Sequence, residues 1–236
     1  MYQETVFSIV LSLLAYVFFL VIFYSNHISR TLSRKLGKEK SNIYRVLLQR
    51  GTGILVYGII PAFLVSLAFS KKLSAYGLAL KNLTESLCWA LGLSLVIIPI
   101  SLLTGKNPAN HKKYPEIQTA DWTAGLLVTS SLSWILYLFA YELLLRGILF
   151  FSCLRSFGLW PAVWINISIY TVFHLHKGWK EMAGSVFLGF AFCFLTYKTG
   201  TIWASLFGHI VLALSNEWAS IYFNPRMKTK HIWKTK

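Results

Sequence analysis

Four ionisable side chains stand where the sequence is otherwise apolar: Glu142 and Arg146 in "YELLLRG", His174 in "YTVFH" and His209 in "HIVLALSN". Such a group at membrane depth costs about 2.5–3.5 kcal/mol on insertion scales, so each is a candidate for function. One carboxylate and two imidazoles suffice for hydrolysis: a base takes a proton from water, and donors hold the oxyanion formed at a carbonyl. The same three residues are also a ligand set for a catalytic zinc with its fourth position open. Residue types alone leave both chemistries open. The plainer reading makes Glu142 and Arg146 an i,i+4 ion pair, acid first, and the histidines hydrogen-bonded core residues. The joint occurrence of all of them favours chemistry.

The elements that must hold these residues are membrane helices. Hydrophobic residues make up 56% of the 236, charged residues only 13%, and the mean hydropathy is +0.56. Uncharged runs recur at Thr5–Tyr24, Gly51–Ser70, Ser86–Thr104, Trp122–Tyr141, Ser156–Phe173, Met182–Tyr197 and Thr199–Asn216. Each approaches the ~20 residues that cross a bilayer as helix, which predicts an all-α, polytopic transmembrane helical bundle of about seven spans. The first run has no basic leading segment, carries Glu4 and lacks a small-residue cleavage site, so it reads as a retained helix. Cys88, Cys153 and Cys193 all fall in apolar runs, where a thiol packs as a small hydrophobe.

The formal charge of +15 follows the connections between spans, so it reports topology rather than a nucleic-acid partner. With the N-terminus outside, only Lys71, Lys72, Lys81, Arg155 and Lys198 fall on the outer side. The other Lys and Arg residues, Arg146 excepted, fall on the inner side, which favours N-out, C-in. Localisation is therefore integral and multi-pass, with a bacterial cytoplasmic membrane as the expected setting. Three spans and their loops occupy 1–121, a helical core 122–223, and a basic cytoplasmic tail 224–236.

From Trp122 to Arg155 no proline intervenes, which allows one tilted helix of ~50 Å. Ser156-Phe157-Gly158 suits a turn and Pro161 the first turn of a returning helix that ends near His174. Glu142 and His174 then lie each about 24 Å along its helix from that turn, and His209 about 13 Å into the last span, so the three can meet in the middle third of the bilayer. Glu181, His176 and Lys177 read as a solvated loop at the membrane surface, with a hydrated cavity mouth as the alternative. Glu217 is left outside the primary site. Nothing in the sequence shows the repeated halves or paired broken helices of a transporter.

Order and spacing from about Leu136 to Trp218 resemble the CAAX protease and bacteriocin-processing (CPBP, or Abi) family of intramembrane endopeptidases. Its Glu-Glu-x-x-x-Arg motif, usually followed by Gly, is matched by Glu142, Arg146 and Gly147, with Tyr141 in place of the first acid. Its Phe-x-x-x-His motif is matched by Tyr170 and His174. Its His-x-x-x-Asn/Asp motif is matched by His209, with Ala213 at the polar position and Asn216 one turn further on. The stretches "GSVFLGFAFCFLTYKTG", "TIWASLFGH" and "YGLAL" are similar to the family's background. The resemblance implies a hydrolase that cleaves a membrane-associated or CAAX/leader-type peptide or protein through activated water. Glu142, His174 and His209 would be catalytic, with Arg146, Tyr141 and Asn216 in support. No cofactor is required if Glu142 activates the water, and zinc would sit on Glu142, His174 and His209 if a metal is used. Glu142 takes the base role only if its helix is turned by one residue, about 100°. Partners are the substrate and the bilayer, with no nucleic acid. The alternative is a catalytically inactive CPBP-like scaffold or binding protein.

Overall fold

The computed structural model describes residues 2–229, so residues 230–236 of the expected basic tail lie outside the described residues. The fold is a helical bundle. Helix α1 (Tyr2–Phe23) is followed by α2 (Asn26–Leu36) and α3 (Lys38–Gly53). A π-helical segment, Ile54–Ile59, joins α3 to α4 (Ile60–Phe69), and α5 (Leu83–Gly105) comes next. After a long loop, the short strand β1 (Asp121–Trp122) leads into α6 (Ala124–Glu142). A second π-helical segment, Leu143–Leu149, continues without a break into α7 (Phe150–Phe157). The chain returns through α8 (Leu159–Phe173), α9 (Trp179–Thr199) and α10 (Trp203–Phe223) and ends in β2 (Lys228–Thr229).

Five of the helices are long and apolar enough to cross a membrane: Tyr2–Phe23, Lys40–Phe69, Leu83–Gly105, Ala124–Phe157 and Trp179–Thr199. The other two expected runs are helical but do not meet that standard. Helix α8 has only 15 residues, and α10 carries His209, Asn216 and Glu217 within its apolar sequence.

The long helix Ala124–Phe157 is the central post: 72% of its apolar window is buried, against 22–39% for the other four. Around it the main core gathers side chains of α1, the first π segment, α7 and α8, among them Tyr16, Tyr57, Leu145, Phe150, Ile167 and Phe173. The expected hairpin is present. Gly158 adopts φ +79, a conformation open to glycine at little cost, and Pro161 lies in the first turn of α8.

The polar stretch 25–50, expected as a connection, is helical. Ile28, Leu32 and Leu36 recur at i,i+4 spacing along α2 and give it an apolar stripe among Arg30, Arg34 and Lys35. The segment after α10 is not a free tail at its start, because Lys228–Thr229 pairs in parallel with Asp121–Trp122. At one end of the bundle Glu4 accepts from Lys71 (2.5 Å), Arg155 (2.5 Å) and the Tyr76 hydroxyl (2.8 Å). Contacts such as Asn42 to Gln118 and Lys113 to Glu181 tie together the opposite end.

Candidate active site

Glu142 is the last residue of α6, and the π-helical turn begins immediately after it. A π turn holds about one residue more than an α turn. The motif glycine follows from packing. A Cβ on Gly147 would stand 2.9 Å from the Tyr76 carbonyl oxygen and 3.1 Å from a Leu143 methyl. This close approach fixes the central helix against the loop after α4.

The structure brings Glu142 and His209 into contact: His209 Nδ1 lies 2.7 Å from Glu142 Oε1. Glu142 Oε2 faces Arg146 Nε at 3.8 Å, and both side chains are sealed from the surface. The Arg146 guanidinium lies over the ring of Tyr170 at 4.2 Å and near that of Phe192 at 5.6 Å. Its three nitrogens make no hydrogen bond to the protein, so charge and aromatic faces hold it. His174 stands apart from the pair. Its Nδ1 donates to the Tyr170 carbonyl at 2.9 Å, which fixes the tautomer and leaves the Nε2 lone pair as acceptor. The Tyr170 ring neighbours both imidazoles, 4.6 Å from His174 and 6.5 Å from His209 by centroids.

A cavity of about 1030 Å³ meets this group. His174, His209, Tyr141 and Tyr170 line its inner wall, whereas Glu142 and Arg146 lie behind it. Val96 and Ile100 of α5 and Phe187 of α9, all exposed on the bundle's outer face, carry the wall toward the lipid. His176, Lys177 and Glu181 also line the cavity, which corrects the expectation of a solvated loop for these three. Glu181 is held there by the Tyr114 hydroxyl (3.0 Å) and Lys113 (3.3 Å). His176 lies outside the spans, and burial, followed by the nearby Lys177 charge, pushes its pKa down to about 4.

Two supporting residues stand differently from expectation. Tyr141 lines the cavity with its ring edge-on to His209 at 5.8 Å, packed among Tyr57, Tyr137 and Phe173. Asn216 is on the wall but lies about 10 Å along α10 from His209, and its Oδ1 accepts from Asn110 at 3.2 Å. The three expected zinc ligands do not converge. Glu142 and His209 bond each other, His174 bonds backbone, and among the described residues no group of three His, Cys, Asp or Glu is arranged to hold a metal ion.

A second polar cluster escaped sequence reasoning. Arg50, at the end of α3, donates to Glu217 (3.3 Å), Glu116 (3.1 Å), the Ser130 carbonyl (3.0 Å) and the Ser133 hydroxyl (2.8 Å). Glu217 also accepts from the Ser130 hydroxyl and the Trp134 indole, and it is fully buried. Its one sequence signal was an acid inside an apolar helix. Arg50 has no signal of its own, since it closes a stretch rich in cations directly before the uncharged run at Gly51. The Tyr57 wall of the cavity was also missed, since nothing in "ILVYGI" marks it as π-helical.

Apolar helices around an enclosed carboxylate–imidazole pair define a polytopic membrane protein with a buried polar site. Residues 121–215 match the family model described as Type II CAAX prenyl endopeptidase Rce1-like. Over those residues the chain is similar to that CAAX-protease-type endopeptidase family, in line with the resemblance read from the motifs. The match takes in Glu142, Arg146, His174 and His209 and stops one residue before Asn216. Neither the curated proteins nor the solved structures yield a match.

Proposed function

We propose that this protein is an intramembrane endopeptidase that hydrolyses a peptide bond of a membrane-associated or CAAX/leader-type substrate without a metal. The contact between His209 Nδ1 and Glu142 Oε1, with Glu142 sealed and His209 on the cavity wall, carries the reading. A buried carboxylate that holds one imidazole nitrogen leaves the other to act on solvent. His209 Nε2 therefore takes the proton from a water whose oxygen attacks the scissile carbonyl carbon. Glu142 orients the ring and balances the imidazolium, and Arg146 faces the other carboxylate oxygen of Glu142. His174 Nε2 accepts the water's second hydrogen and fixes its position. Collapse of the tetrahedral intermediate breaks the C–N bond as His209 returns the proton to the departing amine. This moves the base role expected of Glu142 one atom outward, to the imidazole it holds. The setting is a bacterial cytoplasmic membrane, N-terminus outside.

Cleavage of a membrane-embedded peptide by the purified protein tests the reading. Glu142→Gln is expected to lower turnover by about 10⁴-fold while the protein stays folded, as in the carboxylate-to-amide change of a Ser-His-Asp triad. His209→Ala is expected to abolish turnover, and chelators to leave it unchanged. Full activity in both variants overturns the assignment. Tyr141 in place of the family's first acid favours the second reading, an inactive scaffold. In that case the wild type shows no turnover and Glu142→Gln leaves partner binding intact.

A further inference from the structure

A second cavity, of about 560 Å³, lies at the end of the bundle where α2 meets α3 and the loop before β1. Its wall is made by Ser29, Ser41, Asn42, Arg45, Gln118 and Thr119, with only Ala120 besides. None of these is acidic. Arg45 is half-buried and has no ion pair or hydrogen bond among the described residues, although an arginine fork is built for two parallel bonds to one anion. Asn42 uses its Oδ1 to accept from Gln118 N at 2.7 Å, which leaves its amide hydrogens for a further acceptor. The hydroxyls of Ser29, Ser41 and Thr119 stand around the same space.

The position of the cavity selects the source of the anion. The uncharged run of this helix begins at Gly51, so Arg45 lies about 9 Å along the helix before it, at headgroup depth. Beside it, α2 contributes no residue to the core and presents the Ile28, Leu32 and Leu36 stripe with Arg30, Arg34 and Lys35 flanking it. This is the pattern of a helix lying in the interfacial plane of a membrane.

We propose that this cavity binds the phosphate of an anionic phospholipid headgroup, with Arg45 as its charge partner and α2 lying among the adjoining acyl chains. A zwitterionic headgroup fits less well, because its ammonium finds no carboxylate on the wall. The site is separate from the proposed catalytic group and stands without it. Its bound lipid would brace residues 118–120, which enter the first turn of the central helix through β1.

Native mass spectrometry of the full chain in neutral detergent tests the proposal, with short-chain phosphatidylglycerol, short-chain phosphatidylcholine and inorganic phosphate as probes. Phosphatidylglycerol is expected to bind at least about fivefold more tightly than phosphatidylcholine, and Arg45→Gln to remove that preference, the scale of one basic residue at an anionic surface. Arg45→Glu is expected to reverse it and serves where the first variant fails to fold. Equal binding of the two lipids to the wild type, or an unchanged preference in either folded variant, overturns the site. Displacement of phosphatidylglycerol by equimolar inorganic phosphate overturns the lipid as occupant.

Discussion

Glu142 reaches the cavity only through His209, and this arrangement separates the effects of neighbouring substitutions. In the proposed mechanism, loss of His174 removes a water ligand and leaves the carboxylate–imidazole pair intact, so His174→Ala is expected to lower kcat about 10²-fold, within the range of a general acid–base contribution. Circular dichroism and melting should be close to wild type. His176 reports through stability instead. In the folded chain it is held near pH 4 by burial and then by Lys177, whereas the unfolded chain takes up its proton near 6.5. The unfolded state therefore binds more protons between those values, and stability falls as pH drops through the window. Melting followed from pH 7 to pH 4.5 should show that loss, and His176→Asn should reduce it.

At the scale of elements, the two π-helical segments, Ile54–Ile59 and Leu143–Leu149, contact one another. One supplies Tyr57 to the cavity wall, and the other follows Glu142 directly. Gly147 lies in the second, where Gly147→Ala would drive a methyl into the Tyr76 carbonyl. Backbone gives way less easily than a side-chain tip, so a destabilisation of about 1–3 kcal/mol is expected, measurable by thermal melting in detergent. The hairpin around Gly158 was legible in the sequence because glycine, proline and the polarity of its arms all mark one turn. Meeting of Glu142 and His209 was legible for a similar reason: few ionisable residues occur in the spans, and helix rise fixes their depths. The π turns were not, because an apolar helix looks alike in composition whether each amide bonds four or five residues back. Arg50 and Glu217 were not legible either. They lie 167 positions apart, and no periodicity links one to the other.

For the whole molecule, the connections divide between two ends, with Lys71 and Arg155 on Glu4 at one and Lys113 on Glu181 at the other. Lys72→Cys and Lys180→Cys should therefore be labelled by a membrane-impermeant maleimide from opposite sides, Lys72→Cys from outside if the N-terminus is out. The Arg50 cluster joins α3, which precedes the family-matched stretch, to α10 just beyond its end. Removing one partner of such a buried pair strands the other charge, so Arg50→Ala is expected to destabilise by about 3–5 kcal/mol, and Glu217→Gln in the same background to recover part of it. Unfolding in denaturant would show both effects. The same pair sets an order for biosynthesis. Arg50 enters the bilayer with an early helix and meets Glu116 once the loop before α6 is made, whereas its fully buried acidic partner, Glu217, is not translated until α10. Until then the nascent chain must keep that guanidinium at the aqueous boundary, and the last helix, too polar to insert comfortably by itself, is drawn in by a counterion that has been waiting since the second.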